Sequence, residues 1–127
     1  MAKVIASKSG SESRILSVGS YRPKRLVANS EIVDRIESSD EWIQQRTGIE
    51  SRRFADDSES VVDMATWAVE DALAKAKLSI SDIDTLIVAT VTFPFQMPSA
   101  ATAILQRLGH PTAAAFDINA ACAGFSY

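Results

Sequence analysis

Helices that alternate with apolar, strand-like runs place this chain in the α/β class, with helices packed on a sheet. Three observations carry that reading. Thr85 to Thr92 is a nearly continuous apolar run, the pattern of a strand buried on both faces. Ala113 to Ile118 is a second such run, aimed at the single cysteine, Cys122. Ahead of both, Val61, Ala65, Ala68, Ala72 and Ala76 recur at helical spacing, with Met64, Val69 and Leu73 widening the stripe.

The elements follow in order. Residues 1–13 are rich in Ser and Lys without periodicity, which predicts a disordered leader. Arg14 to Tyr21 reads as a strand that stops before Pro23. Asn29 or Ser30 can cap a short helix through Ile36. Ser38 with Glu41 three residues on has the form of a capping box, opening a helix that Gly48 ends. Glu50 to Phe54 is a short strand. Asp56 to Ser60 supplies caps and negative charge to the long helix, and Ser79 to Asp84 is a turn. After the first buried strand, Phe93 to Pro98 is a loop with two prolines. Ser99 to Leu108 is a helix with Ala101, Ile104, Leu105 and Leu108 on one face, closed by Gly109. No repeat, linker or domain boundary is visible beyond the leader.

The 127 residues fit one domain, and 46% hydrophobic with 23% charged residues is the balance of a soluble globular protein. The net charge is −3 and no basic cluster is longer than Arg52-Arg53, so nucleic-acid binding has no electrostatic footprint. An anionic ligand would need local arginines rather than a global field. One cysteine excludes an intrachain disulfide framework and suits a reducing compartment. The start lacks a signal-peptide core, and no apolar run is long enough to span a bilayer. The expectation is a cytoplasmic, soluble protein with no metal and no membrane or nucleic-acid partner.

The chemistry concentrates in Phe116 to Tyr127, where Cys122 is wrapped in alanine and glycine. Small residues suit a tight strand-to-helix turn at which backbone and substrate approach closely. A thiol in the first turn of a helix also feels the positive end of its dipole, which favours the reactive thiolate. Sites in α/β sheets lie beyond the carboxyl ends of strands, and Cys122 sits at such an end. The competing reading is an inert core thiol, because free cysteine behaves as a small hydrophobe. The only histidine, His110, sits in a loop between Gly109 and Pro111 and is a poor base for Cys122. Local spacing leaves the two readings open.

Four stretches together resemble a known family: Val18 to Pro23; Ser39-Asp40-Glu41-Trp42-Ile43 with Arg46-Thr47-Gly48-Ile49; Pro98 to Ala101; and Asp117 to Tyr127. The chain resembles the amino-terminal part of a β-ketoacyl-acyl-carrier-protein synthase III, the initiating condensing enzyme of bacterial type II fatty-acid synthesis. The likeness covers everything after residue 13. It implies the amino-terminal half of the layered αβαβα, thiolase-like fold, incomplete and spanning 14–127, cut just after the nucleophile. It implies that Cys122 is the nucleophile accepting an acyl group from acyl-coenzyme A. It implies that Trp42 and Arg46 sandwich the adenine, as residues four apart on one helix face can. Ser38 matches a position that hydrogen-bonds the nucleotide, and Met97 one that reaches the acyl pocket of the other subunit of a homodimer. Acyl-coenzyme A is then a substrate rather than a cofactor, and malonyl-acyl-carrier protein is the second partner.

The implied reaction has two halves: acyl transfer to Cys122, then decarboxylation of the malonyl group and attack of the resulting enolate on the acyl-enzyme. The backbone N–H of Cys122 is the expected oxyanion donor. The family's His and Asn, which stabilise decarboxylation, have no counterpart here: His110 falls at a non-catalytic position and Asn119 is no substitute. Losing one such donor costs about 10²–10³ in rate, so the chain by itself is expected to be an inactive piece of a synthase, prone to aggregate. Three other readings remain: a related polyketide or quinolone condensing enzyme, a non-catalytic coenzyme A-binding or interaction module, and a structural domain with a buried thiol.

Overall fold

The computed structural model describes residues 14–127, so the expected leader at 1–13 lies outside the described residues. The elements run β1 (Arg25–Ala28), a 3₁₀ turn (Asn29–Glu31), α1 (Val33–Ile36), α2 (Asp40–Thr47), β2 (Ser51–Phe54) and α3 (Val61–Ala76). A second 3₁₀ turn (Ile80–Asp82), β3 (Thr85–Ala89), α4 (Ala100–Arg107), β4 (Ala114–Ile118) and a third 3₁₀ turn (Ala121–Ala123) follow. The α/β expectation holds.

The strands form two ribbons. β3 and β4 pair in parallel, from Thr85↔Ala114 to Ala89↔Ile118. Parallel neighbours need a crossover, and α4 supplies it while packing on both strands and on α3. Ala100, Ala101, Ile104 and Leu105 share one face of α4 and are all but inaccessible to solvent, so the core lies under this helix. β1 and β2 pair antiparallel, Arg25↔Phe54 to Ala28↔Ser51, and the excursion between them carries α1 and α2.

The start of α4 depends on a carboxylate. Asp117 of β4 accepts the N–H groups of Ala100 at 2.7 Å and Ala101 at 2.8 Å. Ser99 Oγ accepts the N–H of Thr102 at 3.1 Å. A helix leaves its first N–H groups without intrahelical partners. With Ala100 and Ala101 out of reach of water, these side chains are what satisfies them.

Several elements differ from the sequence reading, each for a physical reason. Residues 14–21 form no strand. They run along α3, with Ser17 Oγ donating to Ala72 O at 2.7 Å, Ser20 N–H donating to Asp71 Oδ2 at 2.8 Å, and Lys75 Nζ donating to Val18 O at 3.3 Å. A side chain on Gly19 would meet Ala68 O at 2.1 Å, so glycine permits this approach. β1, which the sequence reading left out, is instead the partner of β2. At α2 the cap is Ser39 rather than Ser38, its Oγ accepting from Trp42 N–H at 3.2 Å. β3 ends at Ala89, and the β3–β4 ribbon is covered on one face only: Ile87 and Phe116 are 48% and 45% exposed. In place of the helix expected at Cys122, Ala121–Ala123 is a three-residue 3₁₀ turn.

A second polar anchor holds the start of α3. The Tyr21 hydroxyl donates to Glu59, whose other oxygen accepts Asp56 N–H at 3.1 Å. Tyr21 also stacks against Trp67 with ring centroids 4.5 Å apart. The Tyr21 hydrogen bond, then that from Asp56, holds the Glu59 carboxyl below its ordinary value against the opposing effect of burial. The same bond, with desolvation and the negative charges of Glu59 and Asp56, pushes Tyr21 up from 10.0 to about 12.

Two tests follow from these anchors. Asp117→Ala strands two buried donors and is expected to cost about 1–3 kcal/mol in chemical denaturation; an unchanged midpoint would contradict the capping role. The lowered Glu59 value adds stability that is complete above its unfolded value near 4.5 and lost as pH falls through the folded one. The raised Tyr21 value adds stability that is complete below 10.0 and lost as pH rises towards about 12. Tyr21→Phe should remove the alkaline loss and shrink the acid one; superimposable stability–pH curves for the two proteins would refute the coupling.

Candidate functional site

Cys122 is exposed at the carboxyl end of the parallel ribbon. Three features hold it there. Pairing continues past β3 through Thr90 N–H to Ile118 O at 3.1 Å. Asp117, five residues before the thiol, is fastened to α4. Gly124 is buried against β3, where an added Cβ would lie 2.9 Å from the Ala89 Cβ. The turn itself is closed by Ala123 N–H to Ala120 O at 2.9 Å and Gly124 N–H to Ala121 O at 3.2 Å.

Ala121 adopts φ 43°, a left-handed conformation that costs a residue with a Cβ about 1–2 kcal/mol. The strained residue immediately precedes the thiol. Strain of this kind persists where the surroundings over-determine the backbone. Among the described residues the thiol is exposed rather than buried.

His110 lies elsewhere. Its Nε2 is 3.2 Å from Ile83 O, just ahead of β3, at the opposite end of the ribbon from Cys122. It anchors a loop, in keeping with the sequence reading.

Trp42 and Arg46 occupy the outer face of α2. Trp42 is 55% exposed, and the Arg46 guanidinium carbon stands 5.8 Å from its ring centroid. A flat ring held between them needs about 7 Å, two van der Waals contacts of about 3.5 Å. The exposed Arg46 side chain must therefore swing outward by about 1 Å to admit one. In the ligand-free arrangement it makes a cation–π contact with the indole instead.

Beside Trp42, residues Ile36, Glu37, Ser38 and Ser39 complete a groove of about 410 Å³. The Ser38 hydroxyl there is shielded and has no hydrogen-bond partner among the described residues. Ser39 is committed to the helix cap, so of the two hydroxyls the Ser38 one is without a partner. Behind the groove, buried Asn29 donates to Asp40 Oδ1 at 2.5 Å and to Ile49 O at 2.8 Å, and accepts from Arg52 at 2.6 Å. Hydrogen bonds from Gln44 and then Asn29 lower the Asp40 carboxyl below its usual value, keeping it charged at the helix start.

Met97, 87% exposed, lines an apolar groove of about 550 Å³ with Val61, Val62, Phe93 and Phe95. A second groove of about 410 Å³ at the strand ends is lined by Thr90, Val91, Phe116 and Asn119. Phe93 and Phe95, edge to face at 5.6 Å, wall both. Sequence reasoning took the 93–98 segment as a loop and singled out Met97 within it; the aromatic pair flanking Pro94 was the signal it passed over. The structure thus sets Trp42 and Ser38 along one groove, with Arg46 against the Trp42 ring, and places Met97 and Cys122 apart from it. Among the described residues no helix is long and apolar enough to cross a membrane.

No protein-family model matches the chain. Curated relatives do. The chain is 50% identical over all 127 residues to a mycobacterial β-ketoacyl-[acyl-carrier-protein] synthase III of Mycolicibacterium paratuberculosis, covering 38% of that protein. It is 48% identical over 127 residues to β-ketoacyl-[acyl-carrier-protein] synthase III 1 of Streptomyces avermitilis, covering 36% of it. Among solved structures, it matches the priming β-ketosynthase of a polyketide biosynthetic pathway with TM-score 0.84 and 45% identity. That match covers 88% of this chain and 34% of the other. The 3-oxoacyl-[acyl-carrier-protein] synthase III of Aquifex aeolicus matches with TM-score 0.81 and 42% identity, covering 88% of this chain and 36% of that one. The chain therefore spans just over a third of the relatives it matches. The resemblance to β-ketoacyl-acyl-carrier-protein synthase III is borne out along the whole chain, and its fold is part of the thiolase-like condensing-enzyme fold.

An exposed thiol on a compact turn has a direct consequence. Cys122 in the folded protein at neutral pH is expected to react with a small alkylating agent within about tenfold of its rate after denaturation. Protection beyond that would contradict the open position of the turn.

Proposed function

We propose that the protein this chain represents is a condensing acyltransferase of fatty-acid synthesis, with Cys122 as the nucleophile. The observation that carries the reading is the exposed thiol at the carboxyl end of the parallel ribbon, held by Asp117 and Gly124 and preceded by strained Ala121. The similarity to β-ketoacyl-acyl-carrier-protein synthases III supports it. In the first half-reaction the Cys122 thiolate attacks the thioester carbonyl of acyl-coenzyme A. Collapse of the tetrahedral intermediate expels coenzyme A thiolate and leaves an acyl-enzyme. The Cys122 backbone N–H is the candidate donor to the oxyanion.

Trp42, Arg46 and the free Ser38 hydroxyl would receive the nucleotide: the indole and guanidinium on the two faces of the adenine, the hydroxyl at its edge. In the second half-reaction malonyl-acyl-carrier protein loses carbon dioxide. The enolate attacks the acyl group, giving a 3-oxoacyl product and freeing the thiol. His110, tied to Ile83, is not placed to assist that step. Met97 would meet the acyl chain of a second subunit in a homodimer. A polyketide-priming role is the alternative reading, favoured by the likeness to a priming β-ketosynthase; the two part on whether the condensed product enters fatty acids or polyketides.

Intact mass after incubation with a panel of acyl-coenzyme A thioesters tests the nucleophile. One acyl increment on the wild type and none on Cys122→Ser is the expected result; an adduct surviving on the variant would refute the assignment. For the clamp, Arg46→Ala should raise the acyl-coenzyme A concentration needed for half-maximal acylation by about tenfold, with little effect on a minimal acyl thioester. Equal losses with both substrates would exclude nucleotide recognition by Arg46.

A further inference from the structure

Asn29 reads in the sequence as a cap for the short helix through Ile36, and the structure gives its side chain a different task. It opens the 3₁₀ turn after β1 and is buried. Its Nδ2 donates to Asp40 Oδ1 at 2.5 Å and to Ile49 O at 2.8 Å, while its Oδ1 accepts from Arg52 Nη2 at 2.6 Å. A carboxylate and a carbonyl only accept, and a guanidinium only donates, so the three partners fix which way the amide faces. A carboxylate in its place would lack the donors, and a hydroxyl would bring a single hydrogen. The backbone of the turn is docked independently, with Asn29 N–H donating to Glu50 O at 3.3 Å and Ala28 paired with Ser51.

The two donated bonds act on both ends of α2. Asp40 is its first residue, and Ile49 lies two positions past Thr47, its last. The other oxygen of Asp40 accepts from Gln44 Nε2 at 2.9 Å, which ties the pinned carboxylate to the next turn of the helix. Trp42 and Arg46 lie between the two pinned points. Ile43 is the one residue of α2 that is buried. A single buried side chain sets how deep a short helix sits but leaves it able to pivot about that contact. Bonds at both ends remove the pivot.

We infer that Asn29 is a positioning residue for nucleotide recognition. It touches no ligand; it fixes the angle at which α2 presents Trp42. The inference rests on the reading of Trp42 and Arg46 as the clamp for the adenine. Arg46 is long enough to follow a displaced ring, whereas the indole goes where the helix carries it. A shift of about 1 Å in a group that orients a substrate is enough to lose much of its effect.

Acylation followed by intact mass, with acyl-coenzyme A and with a minimal acyl thioester, tests the role. Asn29→Asp keeps the shape of the side chain, removes both donors and sets a carboxylate against Asp40. It is expected to raise the acyl-coenzyme A concentration for half-maximal acylation about tenfold, with little effect on the minimal thioester. Asp40→Ala should do the same, while Asp40→Asn, which keeps an acceptor for Asn29, should stay close to the wild type. This second pair reads the same contact if the Asn29 variant folds poorly. Equal losses with both substrates would show a general loss of folded protein, and no loss with either would show that α2 holds its own angle; each overturns the inference. Arg46→Ala separates it from the reading beneath. If that substitution spares coenzyme A recognition, the clamp falls and the positioning role with it. If it weakens recognition while Asn29→Asp and Asp40→Ala do not, only the positioning role falls.

Discussion

The carboxylate of Asp117 joins the end of β4 to the beginning of α4, and the geometry around the thiol follows from that joint. Ala100 and Ala101 are packed too closely for water to reach their N–H groups. Their hydrogen bonds must therefore come from the protein. Asp117 supplies both from a strand residue with Ile118 next to it and Cys122 five positions on. A helix start, a strand end and the turn after it become one rigid corner. Gly124 closes the corner from the other side by letting the turn rest on Ala89. The position of the thiol is set by packing and hydrogen bonds that do not involve the thiol.

Asn29 is the corresponding joint in the other half of the described structure. It is 1% exposed, and its amide ties Asp40 at the head of α2 and the Ile49 carbonyl to Arg52 of β2. α2 itself is short, and eight residues are too few for an isolated helix to persist in water. Its order comes from this buried amide, from the Ser39 cap and from Ile43 turned into the core. That leaves Trp42 and Arg46 on the exposed outer face, in contact with each other. The same amide holds the Arg52 guanidinium in place, so one buried residue joins the head of α2 to β2.

Much of this was legible in the sequence, and the rest has identifiable causes. The long helix was visible because alanine spacing and the Ser60 cap agree; both are local signals. Gly48 was legible as the end of α2 because only a left-handed residue, here at φ 69°, stops a helix in that way. Residues 14–21 look like a strand in isolation, since nothing local reveals that their hydrogen-bond partners are Ala72 and Asp71 of a helix more than fifty positions away. Ser38 and Ser39 are adjacent and chemically identical, so which of them caps α2 depended on where the chain leaves the left-handed Glu37. The Phe93–Phe95 wall went unread because a loop sequence does not disclose which grooves its rings will line.

By itself the sequence determined the α/β class, the order of its main elements, the likeness to a condensing-enzyme family and the small-residue turn that carries Cys122. These rest on periodicity, turn chemistry and motif, all of which act over a few residues. Only the tertiary structure decided that the thiol is exposed among the described residues, that Asp117 caps a helix, and that Asn29 joins Asp40 to Arg52. Each of those is a contact between segments far apart in the chain. Such contacts depend on how faces pack and on which buried donors and charges remain unpaired, and no local pattern encodes that.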